Sequence, residues 1–230
     1  METLNEFHAR VDGFQWDSLP HNGPLVTKPL LVEKIAPDGR LRSFFGNTMI
    51  FDLPEDVQLQ IAQMQLILHH RCGAMLAEPL APSTLHMTLH DLLNGMDKAA
   101  LAEPVRNTGE QAKALLAALR AERQPSIRLT SICAFNMGSG SVALGFAPDT
   151  EADCAAIMGM HARFQDVVAL NYPLTPHVTL AYYRPGTHDT AALAEALREI
   201  NALGKVRITV DAEALHYYRF TDMNNYIRED

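Results

Sequence analysis

The sequence predicts an α+β protein built as a bilobed, pseudo-two-fold duplication, with strand, helix, strand, helix, strand occurring twice. Three observations predict this. The spacing of apolar residues switches repeatedly between the two-residue period of a strand and the roughly 3.6-residue period of a helix. The order of those switches is the same over residues 43–135 and 141–220. One five-residue spelling also recurs at the same place in both halves, Leu85-His86-Met87-Thr88-Leu89 and Pro176-His177-Val178-Thr179-Leu180.

In the first half, residues 43–53 are apolar and β-branched enough for a strand. Asp52-Leu53-Pro54-Glu55 then offers a cap, an early Pro and an acidic first turn, which start a helix. Val57, Ile61, Met64 and Leu68 line one face of that helix, which ends near Arg71-Cys72-Gly73. His69 and His70 fall in its last turn, as surface or capping residues. After Pro82 the first His-x-Thr strand covers 84–92, a helix with Ala112, Leu115, Leu116 and Leu119 inward covers 109–122, and a strand covers 127–135.

Asn136-Met137-Gly138-Ser139-Gly140 reads as a hairpin turn, without the Lys-Ser/Thr ending and following helix of a phosphate-binding loop. The second half opens with a strand over 141–147. Thr150-x-x-Asp153 resembles a capping box, and Ile157, Met160, Phe164 and Val167 form the inner face of the next helix. The second His-x-Thr strand runs over 177–184, a helix with Leu193, Leu197 and Ile200 over 190–201, and a closing strand over 206–218. The run Tyr217-Tyr218-Arg219-Phe220 belongs to that strand, since aromatics favour strands. Residues 1–40, with Pro20, Pro24, Pro29 and Pro37, form an irregular N-terminal extension, and residues 41–230 make up one bilobed domain.

A 230-residue chain with 20% charged and 47% hydrophobic residues buries a substantial core. Its formal charge of −8 opposes nonspecific binding to long nucleic acid, where Lys and Arg supply the affinity. Cys72, Cys133 and Cys154 lack metal-ligand spacing and read as free thiols. No basic-then-apolar leader opens the sequence and no segment reaches the apolar length of a membrane span. The expectation is a cytoplasmic protein without membrane contact. A monomer is expected too, because two lobes already supply a two-fold arrangement.

The repeated spelling carries the chemistry. Side chains alternate faces along a strand, so His86 and Thr88 point one way, as do His177 and Thr179. Met87, Leu89, Val178 and Leu180 point into the apolar layer. Two imidazole–hydroxyl pairs facing each other can hold a phosphate between an acid and a base. A third triplet, His188-Asp189-Thr190, follows Arg184-Pro185-Gly186 and opens an Ala-rich stretch, so it reads as a helix cap. By alternation His90 and Tyr183 also line the cleft; Tyr183 could stack on a base, and Arg184 could reach a phosphate. Each has a plainer reading as well: a polar residue at a strand end, an aromatic at a sheet margin and a solvated charge.

These residues resemble the two-histidine (2H) phosphoesterase superfamily, which includes bacterial RNA 2′,3′-cyclic phosphodiesterases once assayed as RNA ligases. The resemblance covers residues 43–220 and rests on the duplicated His-x-Thr motif and its order; Phe45-Gly46-Asn47-Thr48 further resembles an uncharacterised bacterial subgroup. It implies antiparallel sheets around a central cleft with helices outside, His86 and His177 as the catalytic pair, and Thr88 and Thr179 on phosphate oxygens. It also implies hydrolysis of a cyclic or 2′-linked phosphodiester of a small nucleotide or RNA end. No metal or other cofactor is expected, because the motifs add only a lone Asp91 to the two histidines. The competing reading is a non-catalytic module that binds a nucleotide or other phosphorylated ligand. Two intact motifs favour catalysis over it, and the acidic balance disfavours RNA ligation.

Overall fold

The computed structural model describes residues 2–230. Its elements begin with α1 (Leu4–Asp17), β1 (Leu25–Val26), β2 (Phe45–Asp52), α2 (Glu55–Cys72), β3 (His86–Gly95) and α3 (Lys98–Ala121). There follow β4 (Ile127–Met137), β5 (Ser141–Pro148), α4 (Glu151–Phe164), β6 (His177–Tyr182), β7 (Thr187–His188) and α5 (Ala191–Asn201). Strands β8 (Arg207–Val210), β9 (Leu215–Asp222) and β10 (Asn225–Arg228) complete the order. Two four-stranded antiparallel sheets result, ordered β10-β9-β2-β3 and β6-β5-β4-β8, with a small ribbon β1-β7. Strands β3 and β6, which carry the two His-x-Thr motifs, are both sheet edges, and they approach each other.

The α+β class is as expected, but the chain exchanges strands between the halves. Strand β4, read with the first half, pairs with β5 and β8. Its turn explains this: Gly138 and Ser139 take positive φ (54° and 55°), a tight reversal that makes β4 and β5 obligatory neighbours. The closing strand expected over 206–218 is two strands in two sheets. Asp211 Oδ1 accepts the amides of Glu213 and Ala214 (3.0 Å each) and bends the chain after Val210. Strand β8 therefore stays with β4 while β9 crosses to β2.

Residues 1–40 are not irregular throughout. Thr3 and Glu6 form a full capping box for α1. That helix buries Phe7 and Val11 against Ala147 and Cys154 and stacks Phe14 on Phe135, centroids 4.8 Å apart. In α3, Asp97 caps the amides of Ala99 and Ala100, so the helix begins well before residue 109. Pro104 reads as a breaker, but it sits on the exposed face, where water can serve the carbonyl left without its amide. Buried Asn47 joins α3 to the first sheet. Its Nδ2 donates to Val105 O, Thr108 Oγ1 and Tyr217 Oη, and its Oδ1 accepts from Leu93 N.

One apolar core runs through both lobes, taking Ile61 and Leu68 from α2, Met87 and Leu89 from β3, and Val178 and Leu180 from β6. Buried Gln65 bridges the lobes by donating to the Leu180 carbonyl (2.9 Å). Among the described residues, no helix is long and apolar enough to cross a membrane.

Candidate active site

Each motif histidine is held in the same way. His86 Nδ1 donates to the Thr84 carbonyl (2.6 Å), and His177 Nδ1 donates to the Thr175 carbonyl (2.7 Å), each two residues upstream. A carbonyl only accepts, so in the neutral ring the proton stays on Nδ1 and the Nε2 lone pair is available for chemistry. The supports come from distant parts of the chain. Asn224, in the β9–β10 turn, accepts from Ala81 N (2.8 Å) and Thr84 Oγ1 (3.2 Å). Arg10 of α1 donates to Thr175 Oγ1 and to the Leu174 carbonyl (2.9 Å each), braced by its ion pair with Glu2.

Both motif strands then carry a bulge at the same point. In β3, Thr88 pairs with Ile50 and His90 with Met49, leaving Leu89 as the extra residue. In β6, Thr179 pairs with Ala143 and Ala181 with Val142, leaving Leu180 extra. Each bulge turns two successive residues into the core and reverses the alternation beyond it. His86, Thr88, His177 and Thr179 all stay half-buried on one parity, and the next residues on it are Asp91 and Tyr182, rather than His90 and Tyr183.

Two expectations are corrected accordingly. His90 is 1% exposed, its Nδ1 on the Asp91 carbonyl (2.6 Å) and its ring 5.0 Å from that of His161 on α4. Tyr183 is 0% exposed, lies in the core and leaves its hydroxyl without a partner among the described residues. Arg184 is also engaged elsewhere: Nε donates to the Leu76 carbonyl (2.9 Å) and its stem lies against Gly39.

Of the groups that replace them, Asp91 stood out in the sequence only as a lone carboxylate, and Tyr182 and Tyr226 not at all. Asp91 accepts from Tyr172 Oη (3.0 Å). Tyr182 donates to Met223 Sδ (3.2 Å), and Tyr226 of β10 meets the His86 ring edge-on, centroids 4.6 Å apart. Alternation would have found Asp91 and Tyr182 only if the bulges were known. Tyr226 reaches the site through the strand exchange.

Burial pushes both motif imidazoles below the ordinary histidine value. The hydrogen bond to the upstream carbonyl and the Asp91 carboxylate work the other way at each. Charge on His177 lowers His86 further, so the two rings feel each other and the pair disfavours double protonation. That suits one base and one acid acting together. Burial also drives the phenols of Tyr182 and Tyr226 upward, with Asp91 adding to the shift. Among the described residues, no cluster of three His, Cys, Asp or Glu is placed to hold a metal ion. Cys72, Cys133 and Cys154 are buried free thiols, each in a different apolar cluster.

No protein-family model and no curated protein matches the chain. Solved structures share its fold. A conserved protein of unknown function from Agrobacterium tumefaciens is 17% identical, with 91% of this chain and 93% of that chain covered and a TM-score of 0.58. E. coli LigT, solved in complex with 3′-AMP, is 18% identical, with 81% of this chain and 96% of that chain covered and a TM-score of 0.51. The molecule has the LigT-like fold.

Proposed function

We propose that this protein is a two-histidine phosphoesterase that hydrolyses a cyclic or 2′-linked phosphodiester of a nucleotide or RNA end. The observation that carries the reading is the symmetry of the two motifs. Each is on a facing sheet edge, each histidine is tautomerically fixed by the same backbone bond, and each strand has the same bulge. A core histidine chosen for packing has no reason to be duplicated with its support.

In the reaction, one neutral imidazole takes a proton from the attacking water through Nε2. Water oxygen bonds to phosphorus as the ester bond to the sugar oxygen breaks. The other ring, as imidazolium, delivers its Nε2 proton to that leaving oxygen. The Thr88 and Thr179 hydroxyls hold the non-bridging oxygens. The sugar hydroxyl and the phosphomonoester leave, and exchange of one proton with solvent resets the pair. LigT, crystallised with 3′-AMP, supports a small nucleotide as the ligand class.

The test is turnover of 2′,3′-cyclic nucleoside monophosphates by the purified protein, with and without EDTA. Activity is expected to survive EDTA and to fall by about 10²- to 10⁴-fold in His86→Ala and in His177→Ala. Binding without turnover in the wild type would replace the hydrolase with a phosphorylated-ligand binding module.

A further inference from the structure

The two-histidine chemistry makes no use of the segment between α1 and β2, yet that segment sets two lysines beside the cleft. It starts as β1, paired with β7, and continues with Thr27 N donating to Gly186 O (3.0 Å) and Lys28 N to Ser139 O (3.1 Å). The Lys28 side chain lies on Gly140, where a Cβ would stand only 2.5 Å from its Cε and 2.9 Å from its Nζ. One 3-10 turn, Pro29–Glu33, leads to Lys34, whose amide donates to Leu31 O (3.0 Å) and whose carbonyl accepts from Arg42 N (2.8 Å). The backbone under both lysines is thus fixed.

Lys34 Nζ sits 4.8 Å from the Phe44 ring centroid and 5.9 Å from that of Tyr182, the tyrosine that shares its strand face with Thr179. Lys34 is half-buried, and among the described residues neither lysine enters an ion pair. Burial lowers both ammonium groups, and the charge of Lys34 lowers Lys28 further. The Asp91 carboxylate opposes this at both, as it does at His86 and His177, so one carboxylate is common to lysines and histidines. A partly desolvated cation on two aromatic faces, with no ion-pair partner among the described residues, is completed by an anion from outside.

We propose that Lys34 binds a second phosphate of the substrate. The substrate class is then a cyclic or 2′-linked phosphodiester that carries another phosphate on the same nucleotide or on the linkage preceding it. This rests on the phosphoesterase reading and narrows its substrate. Lys34 packs on the Phe44 and Tyr182 rings and its charge is not among those that shift His86 or His177, which sets its anion apart from the phosphate between the histidines.

Titration calorimetry of the intact chain with adenosine 3′,5′-bisphosphate and adenosine 3′-monophosphate tests it. The bisphosphate is expected to bind about ten- to a hundredfold more tightly, the range of one hydrogen bond to a charged group. Lys34→Met, which keeps the stem over Phe44, is expected to erase the difference while leaving the monophosphate affinity unchanged. Lys34→Arg should preserve most of it. Equal affinities in the wild type, no binding of either probe, or an equal loss for both in Lys34→Met would overturn the proposal. Binding does not require turnover, so a failed phosphoesterase reading shows separately, as absent cyclic-nucleotide turnover in the wild type or as turnover unchanged in His86→Ala and His177→Ala.

Discussion

Single side chains set the acid–base balance of this cleft, and Asp91 is the one whose field reaches both rings. Its carboxylate favours the protonated form of His86 and of His177. Neutralising it in Asp91→Asn lowers both proton affinities. The acidic limb of the rate profile follows the base and the alkaline limb follows the acid. Both limbs, and the optimum between them, are therefore expected to move to lower pH. Profiles of kcat/KM for wild type and variant check this; an optimum that stays in place removes Asp91 from the site. The equivalence of the two motifs was legible because identical spellings at matching places mark matching positions in the fold. Asp91 was visible only as a lone carboxylate, since its contribution depends on where the strand bends.

The two bulges are the corresponding device among the elements. An extra Leu is invisible in an apolar strand, because nothing in its chemistry distinguishes a paired leucine from an unpaired one. The consequence is testable at the adjacent tyrosines. Tyr183→Phe removes a buried hydroxyl without a partner and is expected to stabilise the fold by about 1 kcal/mol, with kcat/KM unchanged. Denaturant melts and cyclic-nucleotide assays read the two effects; a loss of activity would return Tyr183 to the cleft. Behind the first bulge, His90 and His161 are buried together. Burial and then the charge of His90 push His161 down to about 4, and burial lowers His90 too. The unfolded chain binds these protons near the ordinary histidine pKa and the folded chain binds them only below it. Stability is thus complete above about pH 6.5 and falls as pH drops toward 4, by on the order of 3 kcal/mol from His161. His86 and His177 act in the same direction, so the measurement is the difference between wild type and His161→Leu. The variant's melting temperature is expected to fall less between pH 7.5 and pH 5, and parallel falls would refute the assignment. Helix faces and strand positions were largely readable from periodicity. The start of α3 was not, because residues 98–108 are mostly exposed and bury only Val105, leaving no continuous apolar face to read.

For the whole molecule, the duplication seen in sequence order is not the division seen in space. Strand β4 leaves the first half for the second sheet and β9 returns to the first, so neither half closes its own sheet. One core runs through both lobes, and heating is expected to give a single calorimetric transition with matching calorimetric and van't Hoff enthalpies. Two resolved transitions would show lobes that fold independently. A fragment of residues 43–135 is expected to remain unfolded, because its third strand has no partner in the fragment. Sequence order cannot reveal such an exchange, since strand patterns state which face is apolar and not which neighbour is chosen.

The crossing of β9 also has a bearing on synthesis. It is translated only after every strand of the second sheet, so on the ribosome β2 and β3 must wait as a lone pair of strands joined through α2 while the other sheet assembles. During that interval one motif histidine, His177 on β6, sits on finished scaffolding and the other, His86 on β3, does not. The nascent protein is then most exposed to chaperones and proteases, and the two motifs come to face each other late, when the last partner strand emerges.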